Sequence, residues 1–240
     1  MTPSKIVFFD LARKEPRHTW SLNPWKTRLL LNFKGLDYET EWLEFPEIEP
    51  RLQPHFPNEQ QWTVPAVKLP DGRWVMDSWN IAQELEKLYP TPAVVLDSPI
   101  RQRYLDVFDN AFREILPSRL LDVHSRILSD VSKPFWRETR ESKFGATLEE
   151  LNEEYGDGKA WKAASPYLQQ ITALLKENNE GPLFLGKQFS FTDAVHAGFL
   201  ILFRVLGDDL FQQLLEATGD PEVHLEFLKY LEPYTVRDSY

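Results

Sequence analysis

The stretch TVPAVKLPDGRWVMDSWNIAQELEKLY, Thr63–Tyr89, reads as two short strands and a helix. Ala66–Leu69 and Arg73–Met76 are short apolar runs. They flank Asp71-Gly72, a strong hairpin signal because both residues tolerate the turn's positive φ. After Asp77-Ser78, Ile81, Ala82, Leu85, Leu88 and Tyr89 recur at helical spacing, which predicts an amphipathic helix. Upstream, Lys5–Leu11 (KIVFFDL) reads as a strand and Pro24–Lys34 (PWKTRLLLNFK) as a helix. Asn23 is expected at the N-cap, Pro24 at the first helical position and Gly35 at the stop. Tyr38–Phe45 (YETEWLEF) alternates and predicts a second strand. The order is therefore βαβ, then ββα, with a parallel crossover between the first two strands. Glu47–Gln61, rich in proline and without a clear period, is expected to be a loop.

The next stretch, residues 91–99, looks like a linker, and no strand pattern follows it. Helices are predicted at Ile100–Leu116, Arg119–Leu128, Trp161–Lys176, Thr192–Leu206, Asp209–Ala217 and Val223–Leu231. Ser129–Gly158 is charged and broken by proline and glycine, and is expected to be partly helical. The expected organisation is an α/β domain over residues 1–90 and an all-α domain over residues 100–240.

Composition excludes several functions. The chain of 240 residues has 27 basic and 37 acidic side chains, a formal net charge of −10. Without a Lys/Arg block it is a poor fit to nucleic acid, where phosphate contacts dominate affinity. Zero cysteines exclude a disulfide framework, a thiolate nucleophile and a thiolate metal site. Thiol chemistry here must use a thiol from outside. The five histidines form no ligand-spaced pair, so no metal is expected. No apolar run approaches a membrane span and no signal peptide is evident; a soluble cytoplasmic protein is expected.

Three local features bear on chemistry. Val64-Pro65 precedes a strand; a cis bond at that place turns the backbone of Val64 outward, where an extended peptide can pair with it. Asp77-Ser78 are favoured N-cap types, and a helix N-terminus also suits a carboxylate, with Asp77 placed for an ammonium. Ser21 and Asn23, in WSLNPW (Trp20–Trp25), lie at the start of the first helix. There they serve either as a turn and cap or as donors to an anion. No Gly-x-Ser-x-Gly elbow supports a serine hydrolase. His196, on a strongly apolar helix, reads as a core residue. Ser190-Phe191-Thr192-Asp193 is close to a capping box before that helix.

In this order, Ser21, Val64-Pro65, Asp77-Ser78 and the cap at Ser190–Asp193 resemble the cytosolic glutathione transferases over nearly the whole chain. SLNPWKTR (Ser21–Arg28), FKG (Phe33–Gly35) and DGRWVMDSWNIA (Asp71–Ala82) are more closely similar to the etherase-like members, the bacterial lignin β-etherases and the fungal A class. The resemblance implies a thioredoxin-like N-terminal domain that binds glutathione and a helical domain beside an apolar acceptor site. It implies Ser21, with Asn23, as the thiol-activating group, Val64 and cis Pro65 at the cysteinyl unit, and Asp77 and Ser78 at the γ-glutamyl end. For the glycine carboxylate, Arg51, Gln53, His55 and Gln61 lie in the corresponding loop. Trp20, Trp25, Tyr104, Phe108 and Phe112 are candidates for the acceptor wall, or plain core. The activity implied is attack of the glutathione thiolate on a small apolar electrophile, by conjugation, ether cleavage or cis–trans isomerisation. A non-catalytic ligand-binding protein of the same fold is the alternative. A homodimer is implied by the resemblance alone.

Overall fold

The computed structural model describes residues 5–156 and 158–239. A four-stranded sheet in the order β2-β1-β3-β4 is built from β1 (Ile6–Leu11), β2 (Tyr38–Leu43), β3 (Ala66–Lys68) and β4 (Trp74–Met76). β1 pairs parallel with β2, Ile6 opposite Tyr38, and antiparallel with β3, Phe8 opposite Val67; β3 pairs antiparallel with β4. The crossover is α1 (Leu22–Phe33), and α3 (Ser78–Leu88) follows β4. Successive strand residues face opposite sides, and both Phe8 and Phe9 are fully buried, so both faces of the sheet are covered. Phe9 stacks on Trp74 at 4.9 Å between ring centres, and the Arg51 guanidinium lies over Phe9.

Arg51 comes from the segment expected to be a loop. Phe45–Glu47 and Gln53–His55 are 3-10 turns, and Ile48–Leu52 is a short helix, α2. The prolines at 46 and 54 sit at the first turns of these pieces, where their missing N–H costs nothing. The helical turns bury Ile48 and Leu52, a tertiary gain that no local period announces.

Two buried cations fix α1. Arg28 reaches Asp10 at 3.0 Å, Thr40 at 3.1 Å and the Tyr38 hydroxyl at 3.3 Å, joining α1 to β1 and β2. Burial pushes the Asp10 carboxyl above its ordinary range, and the Arg28 charge opposes it. Lys34 follows α1 and donates to Glu86 (2.6 Å), to the carbonyl of Tyr89 past the end of α3 (2.7 Å) and to the carbonyl of Pro92 (2.9 Å).

The rest of the described chain is helical: α4 (Pro99–Asp122), α5 (Ser132–Phe144), α6 (Leu148–Tyr155), α7 (Lys159–Leu175), α8 (Phe191–Leu206), α9 (Asp208–Ala217) and α10 (Pro221–Thr235). The two helices expected at Ile100–Leu116 and Arg119–Leu128 are instead one 24-residue helix that continues through Pro117 into a π turn, Val123–Ile127. A mid-helix proline costs about 3 kcal/mol. Here it is buried and the helix packs against α6 and α7, which offsets the loss. The charged segment expected to be partly helical carries α5 and α6.

α8 is buried almost all round. Ser190 caps it, and Asp193 accepts from Ser190 N (2.8 Å), Ser190 Oγ (2.6 Å) and Phe184 N (3.0 Å). Burial pushes the Asp193 carboxyl up to about 6 against these donors. α1 lies close on α8 at Gly198, where an added Cβ would stand 2.8 Å from the Leu22 carbonyl oxygen and 3.3 Å from Trp25 Cβ. Only glycine allows this approach, and it sets the depth of the first turn of α1. Among the described residues no helix is long and apolar enough to cross a membrane.

Candidate active site

A cleft of about 930 Å³ runs between the start of α1, the loop before β3, and helices α4 and α5. One part of the lining, the polar wall, is Ser21, Asn23 and Lys26 at the start of α1 with Gln60, Gln61 and Val64 from the loop before β3. The other is aromatic: Trp20, Phe45, Phe108, Phe112, Phe135 and Trp136.

Ser21 is the N-cap of α1, and Asn23 is the second residue inside the helix rather than the cap. The first helical residue is Leu22, because burial of its side chain and the close contact of its carbonyl with Gly198 extend the helix by two residues on the N-terminal side of Pro24. The Ser21 hydroxyl makes no capping hydrogen bond. It is half-buried at the positive end of a 12-residue helix with no acid in its first turn. An anion there meets both the hydroxyl donor and the helix dipole.

Val64 and Pro65 are joined by a cis peptide bond, and Pro65 accepts from Asp77 N at 3.2 Å. Among the described residues nothing pairs with the N–H or C=O of Val64. Val64 thus presents unpaired backbone groups two residues before β3, a place for an extended peptide to add.

Asp77 caps α3, its Oδ1 accepting from Trp79 N (2.9 Å) and Asn80 N (3.2 Å). Its φ is 78°, the one positive value outside glycine among the described residues. Such a conformation costs about 1–3 kcal/mol and tends to persist at ligand sites. Ser78 is the first residue of α3 and is buried. Asp77 also lines a small pocket with Phe56, Glu59 and Asn80, which shares no lining residue with the larger cleft.

Lys26 was not singled out by the sequence. It lies half-buried on the polar wall. Burial pulls its ammonium down to about 8, while Asp77 and Asp109 hold it partly up. Its place is one turn on from Leu22 and Asn23, a periodicity that would have flagged it had the cleft been known.

The other expected site residues divide. Gln61, Trp20, Phe108 and Phe112 line the cleft. Trp25 and Tyr104 do not. Trp25 packs against Gly198 of α8, and Tyr104 is fully buried with its hydroxyl on His196 at 3.2 Å, so both are core. His55 is stacked on Trp74 at 3.7 Å, outside the cleft lining. Arg51 is engaged by Glu41 at 2.6 and 3.0 Å. The wall from Phe45, Phe135, Trp136 and Arg140 was missed, because Phe45 was expected to end the second strand and α5 lay within a segment expected to be only partly helical.

Residues 102–234 match the model of the glutathione S-transferase C-terminal domain, and residues 20–88 match the N-terminal domain model. The chain belongs to the glutathione S-transferase family. Among solved transferases it is similar to one from Ceriporiopsis subvermispora crystallised with glutathione, at 30% identity and TM-score 0.83, covering 97% of this chain and 98% of that one. A Phanerochaete chrysosporium transferase, GSTFuA3, is 28% identical with TM-score 0.82 over 97% and 98% of the two chains. The glutathione S-transferase-like protein ustS of Aspergillus flavus is 25% identical, covering 89% of this chain and 85% of that protein.

Proposed function

We propose that this chain binds glutathione along the polar wall, holds its sulfur as a thiolate beside Ser21, and delivers it to an aromatic or conjugated electrophile on the aromatic wall. The observation that carries this reading is the set of unspent polar groups on one side of the cleft. The Ser21 hydroxyl makes no cap bond, and the backbone of Val64 is unpaired next to cis Pro65. These fit a cysteinyl unit paired like an added strand with its sulfur at Ser21. The N-terminus of α3, with Asp77 and Ser78, fits the carboxylate and ammonium of the γ-glutamyl end. Glutathione bound to the Ceriporiopsis subvermispora relative supports the same ligand here.

A free thiol has a pKa of about 8.5, so only a few per cent is ionised near neutrality. A hydroxyl donor, the helix dipole and the Lys26 charge each favour the anion. Each unit of lowering represents about 1.4 kcal/mol. Ser21 donates and does not attack; the thiol proton leaves to water, and sulfur forms the bond to the electrophilic carbon. Displacement of a leaving group, cleavage of an aryl ether, and reversible addition to an alkene all begin from this thiolate.

The test is retention on immobilised glutathione followed by turnover with aryl halides, β-aryl ethers and conjugated cis-alkenes, for the wild type and Ser21→Ala. The expected result is glutathione-dependent turnover that falls about 10- to 100-fold in Ser21→Ala at pH 7, matching one or two pKa units. Unchanged turnover in that variant overturns the role of Ser21. Ligand binding without turnover across the panel overturns the catalytic reading.

A further inference from the structure

Arg140 lies on the aromatic wall, half-buried, at the cleft face of α5. Its guanidinium sits 4.1 Å above the Trp136 ring and 5.5 Å from the Phe45 ring centre. Both plates are themselves fixed. The Trp136 indole N–H donates to the Leu120 carbonyl at 3.1 Å, and Phe45 N donates to Ser132 Oγ at 3.0 Å. One guanidinium nitrogen donates to Thr139 Oγ1 at 2.9 Å.

Among the described residues no carboxylate pairs with Arg140, although the chain carries 37 acids against 27 bases. Arg137, one turn earlier on the same helix, is held by both Glu141 and Glu149. The acids that line the cleft, Glu49 and Asp109, do not engage Arg140; Asp109 acts on Lys26 instead. Burial pulls Arg140 below the ordinary arginine range with no carboxylate opposing it. A half-buried cation that no carboxylate neutralises is costly, and a planar fork stacked on a fixed ring is suited to a two-pronged carboxylate contact.

We infer that Arg140 is the anchor for a carboxylate on the acceptor, so that the cleft selects flat aromatic molecules bearing that anion over their neutral counterparts. The stacked guanidinium orients the ligand's ring along Phe45 and Trp136 and leaves its opposite end towards Ser21. This rests on the cleft being the acceptor site proposed above.

The experiment is equilibrium binding of 2-naphthoate and its neutral analogue 2-naphthamide, read by quenching of tryptophan fluorescence with and without glutathione. It compares the wild type, Arg140→Gln and Arg140→Lys. The wild type is expected to bind naphthoate about tenfold or more tightly than naphthamide, the range for a charged hydrogen-bond pair. That ratio is expected to fall to about one in Arg140→Gln and to be partly kept in Arg140→Lys. Because each ratio is taken within one variant, a general loss of stability does not produce it. Equal affinities in the wild type, no binding of either ligand, or a preserved ratio in Arg140→Gln each overturn the inference. A wild type that shows the Arg140-dependent preference yet turns over no electrophile keeps this inference and removes the catalytic one.

Discussion

In the helical half of the molecule four buried polar side chains form a closed series. The Tyr104 hydroxyl donates to His196 Nδ1 (3.2 Å), His196 Nε2–H donates to His224 Nδ1 (3.0 Å), and His224 Nε2–H donates to Thr172 Oγ1 (2.9 Å). Thr172 in turn donates to a backbone carbonyl, that of Thr218 lying at 2.9 Å. These directions are assigned from the network, and they run consistently only if both imidazoles are neutral. At the cleft the opposite holds: the Ser21 hydroxyl, the Val64 backbone and the Arg140 guanidinium face space with bonds unmade. Polar chemistry is consumed along this series of four side chains and left open at these three groups of the cleft. Full satisfaction marks groups that stabilise; an open group on a formed wall marks groups that bind.

That contrast can be broken most forcefully at Arg28, a spent group between α1 and the sheet. Arg28→Leu strands the Asp10 carboxylate and is expected to lower unfolding free energy by about 3–5 kcal/mol, measured by urea denaturation at pH 7. A loss below 1 kcal/mol would show that the pair is not the anchor of α1.

The histidine series sharpens the comparison through pH. Burial pulls His196 well below its usual range and His224 to about 4. Their folded values lie below the unfolded value near 6.5, so the unfolded chain binds more protons between those limits. Stability from these groups is present above about 6.5 and is lost as pH falls towards 4. For His224 alone the loss is about 3 kcal/mol. Urea unfolding from pH 7 to pH 4 should therefore show the gap between wild type and His224→Gln closing by that amount. A constant gap would mean that the series is not held neutral.

Ser21→Ala tests the open side. N-cap serines usually contribute about 0.5–2 kcal/mol. Ser21 makes no side-chain cap bond, so stability should change by less than about 0.5 kcal/mol while turnover falls as stated above. A stability loss matching that of an ordinary cap would move Ser21 to the consumed class. The smallest effect on turnover is expected at Gly198→Ala. Helix propensity favours alanine by up to about 1 kcal/mol, but the 2.8 Å approach to the Leu22 carbonyl opposes it. A net loss of about 1 kcal/mol with a raised KM for glutathione is expected. A gain in stability with unchanged kinetics would show that α1 can retreat without moving Ser21.

The order of strands and helices around β3 and β4 was legible because their signals are local: the Asp71-Gly72 turn, alternation in Tyr38–Leu43 and the apolar stripe of α3. The candidate positions Ser21, Val64-Pro65 and Asp77-Ser78 were legible as helix starts and an X-Pro pair, with the resemblance joining them. Helical period could not separate Phe108, which faces the cleft, from Tyr104, one turn away and wholly core. Nor could it carry α4 through Pro117, since burial against neighbouring helices outweighs the proline.

The sequence by itself determined the fold class, the absence of any thiol of its own, and the residue types at each helix start. These follow from side-chain chemistry and spacing along one chain. Only the tertiary structure decided which polar groups are spent. Whether Arg140 or Arg137 meets a carboxylate, and whether Tyr104 or Ser21 has a partner for its hydroxyl, depends on atoms brought from distant segments. Binding capacity is what remains after those pairings are made.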